Sequence, residues 1–496
     1  DIVSRWEFAI QYSGENKLYN EITKTINNSQ LPHNYFIYSM LLAIFEVEPD
    51  IKGILSESDI IENFIEILLK KHIMTTPSDK PQYKELLHFL GYFGKHCFDN
   101  EKTFFSNNEV LELAINFNKK TLSNYNIQDF IDPLVQSGIL TLNKNEITFS
   151  QPSFMYYAIS YFMKHDEELK NKILSPDNYL LLDKVVEYYA SQNASSLELL
   201  KILQERTKLI IDEMASTIKE EKNTDVNQLD INSMERISIL DLISSREDVE
   251  TYVEKLKSDK IANDNHLDEV APLNSEGQSC EITIEEEDNK TGLPNILLQN
   301  LSLYSRVFRN TELTMDPEKT IDIFDDITEG YIFYMKSFIL MMDESYVIPY
   351  ILPALENKMA EDNLSEREKK KVIELFKTVL SLVRSAMPNN IQMVMTDVIS
   401  SKKPRIENII KATREKTTDE VKNAILGYVL MDIKDENIIP LVNELSKVKN
   451  NVVQESLFFK INHAIISNYD LPRKDIENLK NTLRKIATEK KMTSMS

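Results

Sequence analysis

Glycine is scarce in this sequence, at 9 of 496 residues. A phosphate-cradling loop needs glycines so that backbone amides can close around an anion, and no Gly-x-x-x-x-Gly-Lys-[Ser/Thr] pattern occurs. The same scarcity argues against sheet-rich and doubly wound folds. Cysteine is scarcer still. Cys97 and Cys280 stand far apart, provide no disulfide framework, and fit a reducing, cytoplasmic setting. No run reaches the ~18 uncharged apolar residues of a membrane-spanning helix. The longest candidate, 346–355, is interrupted by Pro349 and Pro353 and is expected to be a buried helix start. Positive charge is also short. The 57 Lys and Arg face 79 Asp and Glu, and a net charge of −22 repels phosphate backbones and anionic membranes. The 7 histidines show no His-x-x-x-His spacing and the cysteines no Cys-x-x-Cys, so no metal site assembles locally.

What is abundant is Leu, Ile, Lys, Glu, Asn and Ser, the composition of packed helices and short connections. The length suits roughly two to four domains. The chain begins at Asp1 with a helix-like segment, 2–10, and no targeting signal, which suggests the C-terminal part of a longer protein.

Residues 1–80 read as a small helical bundle, with a dense apolar run over 35–47. A capping signal at Ser56-Glu57-Ser58-Asp59 precedes apolar residues at helical spacing. Residues 81–165 contain the one convincing β-hairpin. A helix is expected over 83–98 and a short strand over 103–105. Ser106-x-x-Glu109 is a capping box opening a second helix, and a third helix, 127–137, ends at Gly138. Two alternating strands, 139–142 and 146–149, flank a turn at Asn143-Lys144-Asn145, and a helix over 154–163 follows. Helix, strand, helix, helix, hairpin is the order of a winged helix. Residues 166–257 continue as a helical domain, clearest at 179–189, 197–218 and 234–256. Residues 258–295 lose periodicity and form an acidic linker or loop, and 296–496 return to a helical array. Within it, Val347-Ile348-Pro349 and Ile438-Ile439-Pro440 place proline near helix starts. The expected fold class is therefore mainly α: a helical bundle, a winged helix with one hairpin, then an irregular helical array.

Candidate chemistry is sparse. Gly91-Tyr92-Phe93-Gly94-Lys95 lies inside a helical pattern and cannot form a glycine-rich turn. Adjacent His96 and Cys97 point about 100° apart on a helix, which disfavours a nucleophile–base pair. The pairs Asp325-Asp326 and Asp343-Glu344 are expected at solvated helix ends. The third helix of 81–165, where a DNA reader would place its recognition helix, carries Asp129 and Asp132 and no lysine or arginine. Phosphate and guanine contacts both need cations, so a protein or domain interface is the preferred use of this element.

In this order the features resemble the lid and winged-helix region of STAND-type NTPases, the NACHT-like signalling ATPases of bacteria, many of which act in antiphage defence. The residues behind the resemblance are Trp6, Leu31-Pro32-His33-Asn34, Ser39-Met40-Leu41-Leu42-Ala43-Ile44-Phe45-Glu46, and the Ile60-Ile61 to Leu68-Leu69 stretch. Phe149-x-x-Pro152-x-Phe154-x-Tyr156-Tyr157-Ala158 matches the family's winged-helix exit. Together they cover about a third of the chain. The resemblance implies that upstream sequence carries the ATP-hydrolysing core behind an effector domain, so that ATP or ADP would be held there and none by this chain alone. Pro32 would be the lid proline that packs against adenine. Family members often place a nucleotide-sensing histidine in the winged helix; Ser150-Gln151-Pro152 has none, leaving Gln151 as a polar substitute. Residues 166–496 would recognise a protein trigger, such as a phage protein, and release the motor to form a homo-oligomer. The resemblance thus implies no catalytic residue and no metal ligand here. A winged-helix transcription regulator with a helical ligand-sensing domain, or a helical interaction scaffold, are the alternative readings.

Overall fold

The computed structural model describes residues 22, 25, 26, 35–47, 57–73, 80–192, 197–231, 292–311, 316–361, 365–399, 404–433, 438–467 and 471–494. Trp6, residues 31–34 with Pro32, the helix expected over 234–256, most of the 258–295 segment and Cys280 lie outside them. The fold is mainly α with one small sheet.

Helices α1 (Tyr35–Val47) and α2 (Glu57–Ile73) pack against each other. Then come α3 (Tyr83–Asp99), β1 (Phe104–Ser106), α4 (Asn107–Thr121), α5 (Gln128–Gln136), β2 (Leu140–Asn143), β3 (Glu146–Phe149) and α6 (Pro152–Phe162). This is the helix, strand, helix, helix, hairpin order read from the sequence. The local signals explain it. Ser106 and Glu109 form the expected capping box, with Glu109 N–H donating to Ser106 Oγ at 3.3 Å and Ser106 N–H to Glu109 Oε2 at 2.6 Å. Gly138 takes φ +76° just past α5, where a side chain would be strained. The hairpin closes through Lys144 and Asn145 at φ +47° and +74°, the mirror-image turn whose twist suits antiparallel strands. Strand β3 is central, antiparallel to both β1 and β2, pairing Phe105 with Ile147 and Leu140 with Phe149.

Helix α3 lies along α6. Its two glycines permit this: a Cβ on Gly91 would sit 3.1 Å from Phe162 Cβ, and one on Gly94 would sit 3.1 Å from Ile159 Cγ1. The Gly91–Lys95 stretch is thus a packing surface inside a helix, as its pattern indicated.

Beyond the sheet, α7 (Glu167–Ile173) leads to α8 (Asp183–Gln192) and α9 (Leu197–Lys222), followed by a 3₁₀ turn at Val226–Gln228. Helix α8 begins four residues later than Tyr179, the start expected from periodicity. Residues 175–182 form turns, and Tyr179 faces inward from them. The remaining described helices are α10 (Leu293–Thr311), α11 (Pro317–Met341), α12 (Glu344–Glu361), α13 (Glu366–Ile399), α14 (Pro404–Lys416), α15 (Glu420–Ile433), α16 (Ile438–Leu445), α17 (Asn451–Ser467) and α18 (Arg473–Ser494). Helix α10 packs on α8, α9, α11 and α13, and α13 in turn on α15 and α17. The 346–355 stretch is not a buried helix start. It lies within α12, which packs on α13 and leaves Pro349, Ile351 and Pro353 exposed, so its apolar residues exceed what one neighbour can cover. No helix among the described residues is long and apolar enough to cross a membrane.

Candidate functional site: an ion-pair junction around Glu187

Helix α8 touches α2 and α6 on one side and α10 on the other. Six consecutive residues, Val185 to Ala190, are buried. Five are apolar or aromatic; the sixth is Glu187, 5% exposed. An ionised carboxylate at that depth is costly unless charged donors surround it. Three do. Lys184 Nζ lies 3.3 Å from Glu187 Oε2, Arg306 Nε 3.2 Å from the same oxygen, and Arg309 Nη2 donates to Oε1 at 3.3 Å. Arg306 Nε is an ion-pair contact without an aligned hydrogen bond. Arg306 Nη2 also donates to Asp183. Burial alone would push the Glu187 carboxyl up, but Lys184, Arg306 and Arg309 together hold it below the usual carboxylate range.

The same lysine reaches the other way. Lys184 Nζ donates to Glu57 Oε2 at 2.9 Å, and the Tyr188 hydroxyl donates to Glu57 Oε1 at 2.9 Å. Glu57 is the first residue of α2, where the helix end favours a negative charge. Burial opposes the Lys184 ammonium, yet Glu187 and Glu57 outweigh it and raise its pKa. Burial, then Glu57, push the Tyr188 phenol up, so it stays protonated and able to donate. One continuous set of charges therefore connects α2, α8 and α10.

A second, uncharged connection runs beside it. The Tyr179 hydroxyl donates to Asn300 Oδ1 at 2.8 Å, and Asn300 Nδ2 donates to Thr207 Oγ1 at 2.7 Å. The Arg206 guanidinium stacks over the Tyr179 ring, 4.0 Å from its centroid.

The residues singled out from sequence fall elsewhere. Gln151 is exposed at the start of α6, where its carbonyl accepts from Phe154 N–H and its side chain does not cap the helix. Pro32 lies outside the described residues. Cys97 is fully buried, and burial pushes its thiol far from ionisation. His96 instead faces Phe105, with ring centroids 4.8 Å apart. Among the described residues no cluster of His, Cys, Asp and Glu could hold a metal ion. Asp343 does sit at the start of α12, but Asp325 and Asp326 are in the middle of α11, not at its end. Asp129 on α5 is paired with Lys80 at 2.9 Å. None of Glu187, Arg306 and Arg309 was singled out from sequence. The available signal was a lone carboxylate inside Val-Val-Glu-Tyr-Tyr-Ala, where every neighbour is a core residue.

Residues 103–157, from just before β1 into α6, match the model of a family described as Novel STAND NTPase 4. This segment is similar to STAND-type NTPases. Neither curated proteins nor solved structures gave a match to the chain. In the STAND-like segment, Phe149 stacks on Phe93 at 5.2 Å, and Phe154 meets Phe36 of α1 at 5.9 Å and Phe64 of α2 at 6.2 Å. The Phe154 contacts fix the segment's exit helix, α6, against α1 and α2. The next helix to pack on α6 is α8, which carries the junction.

Proposed function

We propose that this chain is the regulatory and sensor region of a STAND-like NTPase acting in bacterial, antiphage-type defence. In this reading residues 81–165 are a winged helix that serves as a joint. The nucleotide, ATP or ADP, is held by a core encoded upstream, with Pro32 and Gln151 nearest to it. Residues 166–496, which include the helical array from α10 onward, receive a protein trigger, and release of the array from the joint lets the protein assemble into a homo-oligomer. The observation that carries the proposal is the Glu187 junction: a buried charge held by α8 and α10 and continued through Lys184 to α2 ties the array to the two helices, α2 and α8, that pack on the STAND-like segment's exit helix α6. Such a contact is costly to leave half-made, so it favours two discrete arrangements over a continuum.

The test is to express the protein from its complete natural reading frame and measure ATP hydrolysis and particle mass with and without trigger. The reading expects an in-frame phosphate-binding module and a mass increase on activation. A reading frame without any nucleotide-binding module sinks it. The transcription-regulator alternative is tested by fluorescence polarisation with duplex DNA at low salt. A DNA reader must show salt-sensitive binding, whereas α5, with two aspartates and no cation, is expected to show none.

A further inference from the structure

A cleft of about 620 Å³ opens between α9, the 3₁₀ turn, α10 and α11. That is the size range of sites for small organic ligands. Its floor is buried and largely apolar, formed by Tyr304, Gly330, Ile332 and Phe333. Gly330 belongs there because α10 and α11 approach too closely for a side chain: an added Cβ would lie 2.5 Å from Leu301 Cδ2. Its rim is polar and includes Glu205, Asp326 and Glu329.

Two features of the wall are incomplete. The Tyr304 residue is 1% exposed, and its hydroxyl has no hydrogen-bond partner among the described residues. Leaving a buried hydroxyl unpaired is unfavourable unless something else satisfies it. The second is Asp326. Along the same face of α11, Lys422 pairs with Asp325 and Glu329, and Lys416 reaches Asp322 at 3.8 Å. Asp326 receives only a neutral donor, the Gln204 amide. Partial burial raises its carboxyl pKa; the Gln204 bond opposes this, and Asp325, Asp322 and Glu329 add to the rise. It is the one carboxylate of the four that lacks a cation among the described residues.

We propose that this cleft binds a small organic cation, an amine or guanidinium with an apolar body. The cationic head sits between Asp326 and the Tyr304 hydroxyl, and the body lies on Phe333 and Ile332. An aromatic floor attracts a cation as well as an alkyl chain. The formal charge of −22 raises the local concentration of cations before docking. Lys208 and Lys336 also line the cleft and disfavour a ligand of uniform positive charge, so a compact monocation fits better than an extended polyamine. The site shares α10 with the junction: Tyr304 faces the cleft, while Arg306 and Arg309 hold Glu187.

Titration calorimetry of the full chain with agmatine, tyramine and spermidine, near neutral pH and about 0.15 M salt, tests the proposal. Glutarate serves as an anionic control. Saturable one-site binding of agmatine or tyramine is expected, weakened about tenfold or more by Asp326→Asn, which keeps the side chain's shape. Tyr304→Phe removes no hydrogen bond of the free protein and is expected to weaken binding severalfold while leaving circular dichroism unchanged. Three results would each overturn the proposal: no saturable binding of either monocation, affinity indifferent to Asp326→Asn, or preferential binding of glutarate.

Discussion

Replacing Glu187 by Gln keeps the side chain's size and removes its charge, leaving Lys184, Arg306 and Arg309 gathered around a neutral amide. Breaking a buried ion pair from one side costs about 3–5 kcal/mol, because the surviving charges stay desolvated without compensation. Here Lys184 keeps Glu57 and Arg306 keeps Asp183, and the survivors are partly hydrated, with side-chain exposures of 38% for Lys184, 19% for Arg306 and 15% for Arg309. The lower end, about 3 kcal/mol, therefore applies. At about 1.4 kcal/mol per decade this is roughly a hundredfold shift toward the separated arrangement of α8 and α10. Hydrogen exchange read by mass spectrometry should show faster exchange in α8 and α10, with α4 and α5 unaffected. Urea unfolding should register the same loss in whichever transition contains α10. Adding Arg309→Gln to Glu187→Gln should cost less than the sum of the two single changes, since their targets are in contact. A loss below about 0.5 kcal/mol, or strict additivity of the pair, would show that the cluster is incidental surface chemistry.

Gly94→Val should destabilise the packing of α3 on α6 by about 1–3 kcal/mol, because its Cβ meets Ile159 at 3.1 Å with a backbone nitrogen close behind; the urea midpoint reports it. Asn300→Ala strips the Tyr179 hydroxyl and Thr207 of a shared partner inside the core and should cost about 2 kcal/mol or more by the same measurement. The junction should also respond to pH. Glu187 is lowered from 4.5, so its contribution is complete above that value and is lost as pH falls through the lower folded-state pKa. Lys184 is raised from 10.5, so its share is complete below that value and is lost as pH rises through the higher folded-state pKa. Exchange rates in α8 should accordingly be pH-independent around neutrality after correction for intrinsic exchange and should rise in acid and again in strong alkali; opening near neutral pH would contradict the assignment.

What the sequence made legible was local. The capping box at Ser106 and Glu109, the hairpin closed at Lys144 and Asn145, and the glycine stop at Gly138 all depend on residues a few positions apart, and the structure contains each. The start of α8 was misplaced because Tyr179, Leu180 and Leu182 imitate a helical stripe, while tertiary bonding from Tyr179 to Asn300 fixes that stretch as turns. The burial of 346–355 was misjudged because apolar composition shows what could be buried, not whether a neighbour exists to cover it. Asp325 and Asp326 read as a solvated helix end because a catalytic pair needs a cleft that sequence does not display; their actual position depends on where α11 begins. The Glu187 junction could not be assembled at all, since Arg309 lies 122 residues further along the chain. A lone buried carboxylate shows that cations must exist, but not which ones.

In the proposed function the Glu187 junction restrains the protein until its trigger arrives. Mass photometry of the protein from its complete reading frame, with ATP and without trigger, puts this to the test by comparing the native sequence with Glu187→Gln. The native protein is expected to stay in its resting mass and the variant to populate the larger assembly unprompted. Identical mass distributions for the two, in a protein that does assemble when triggered, would contradict it.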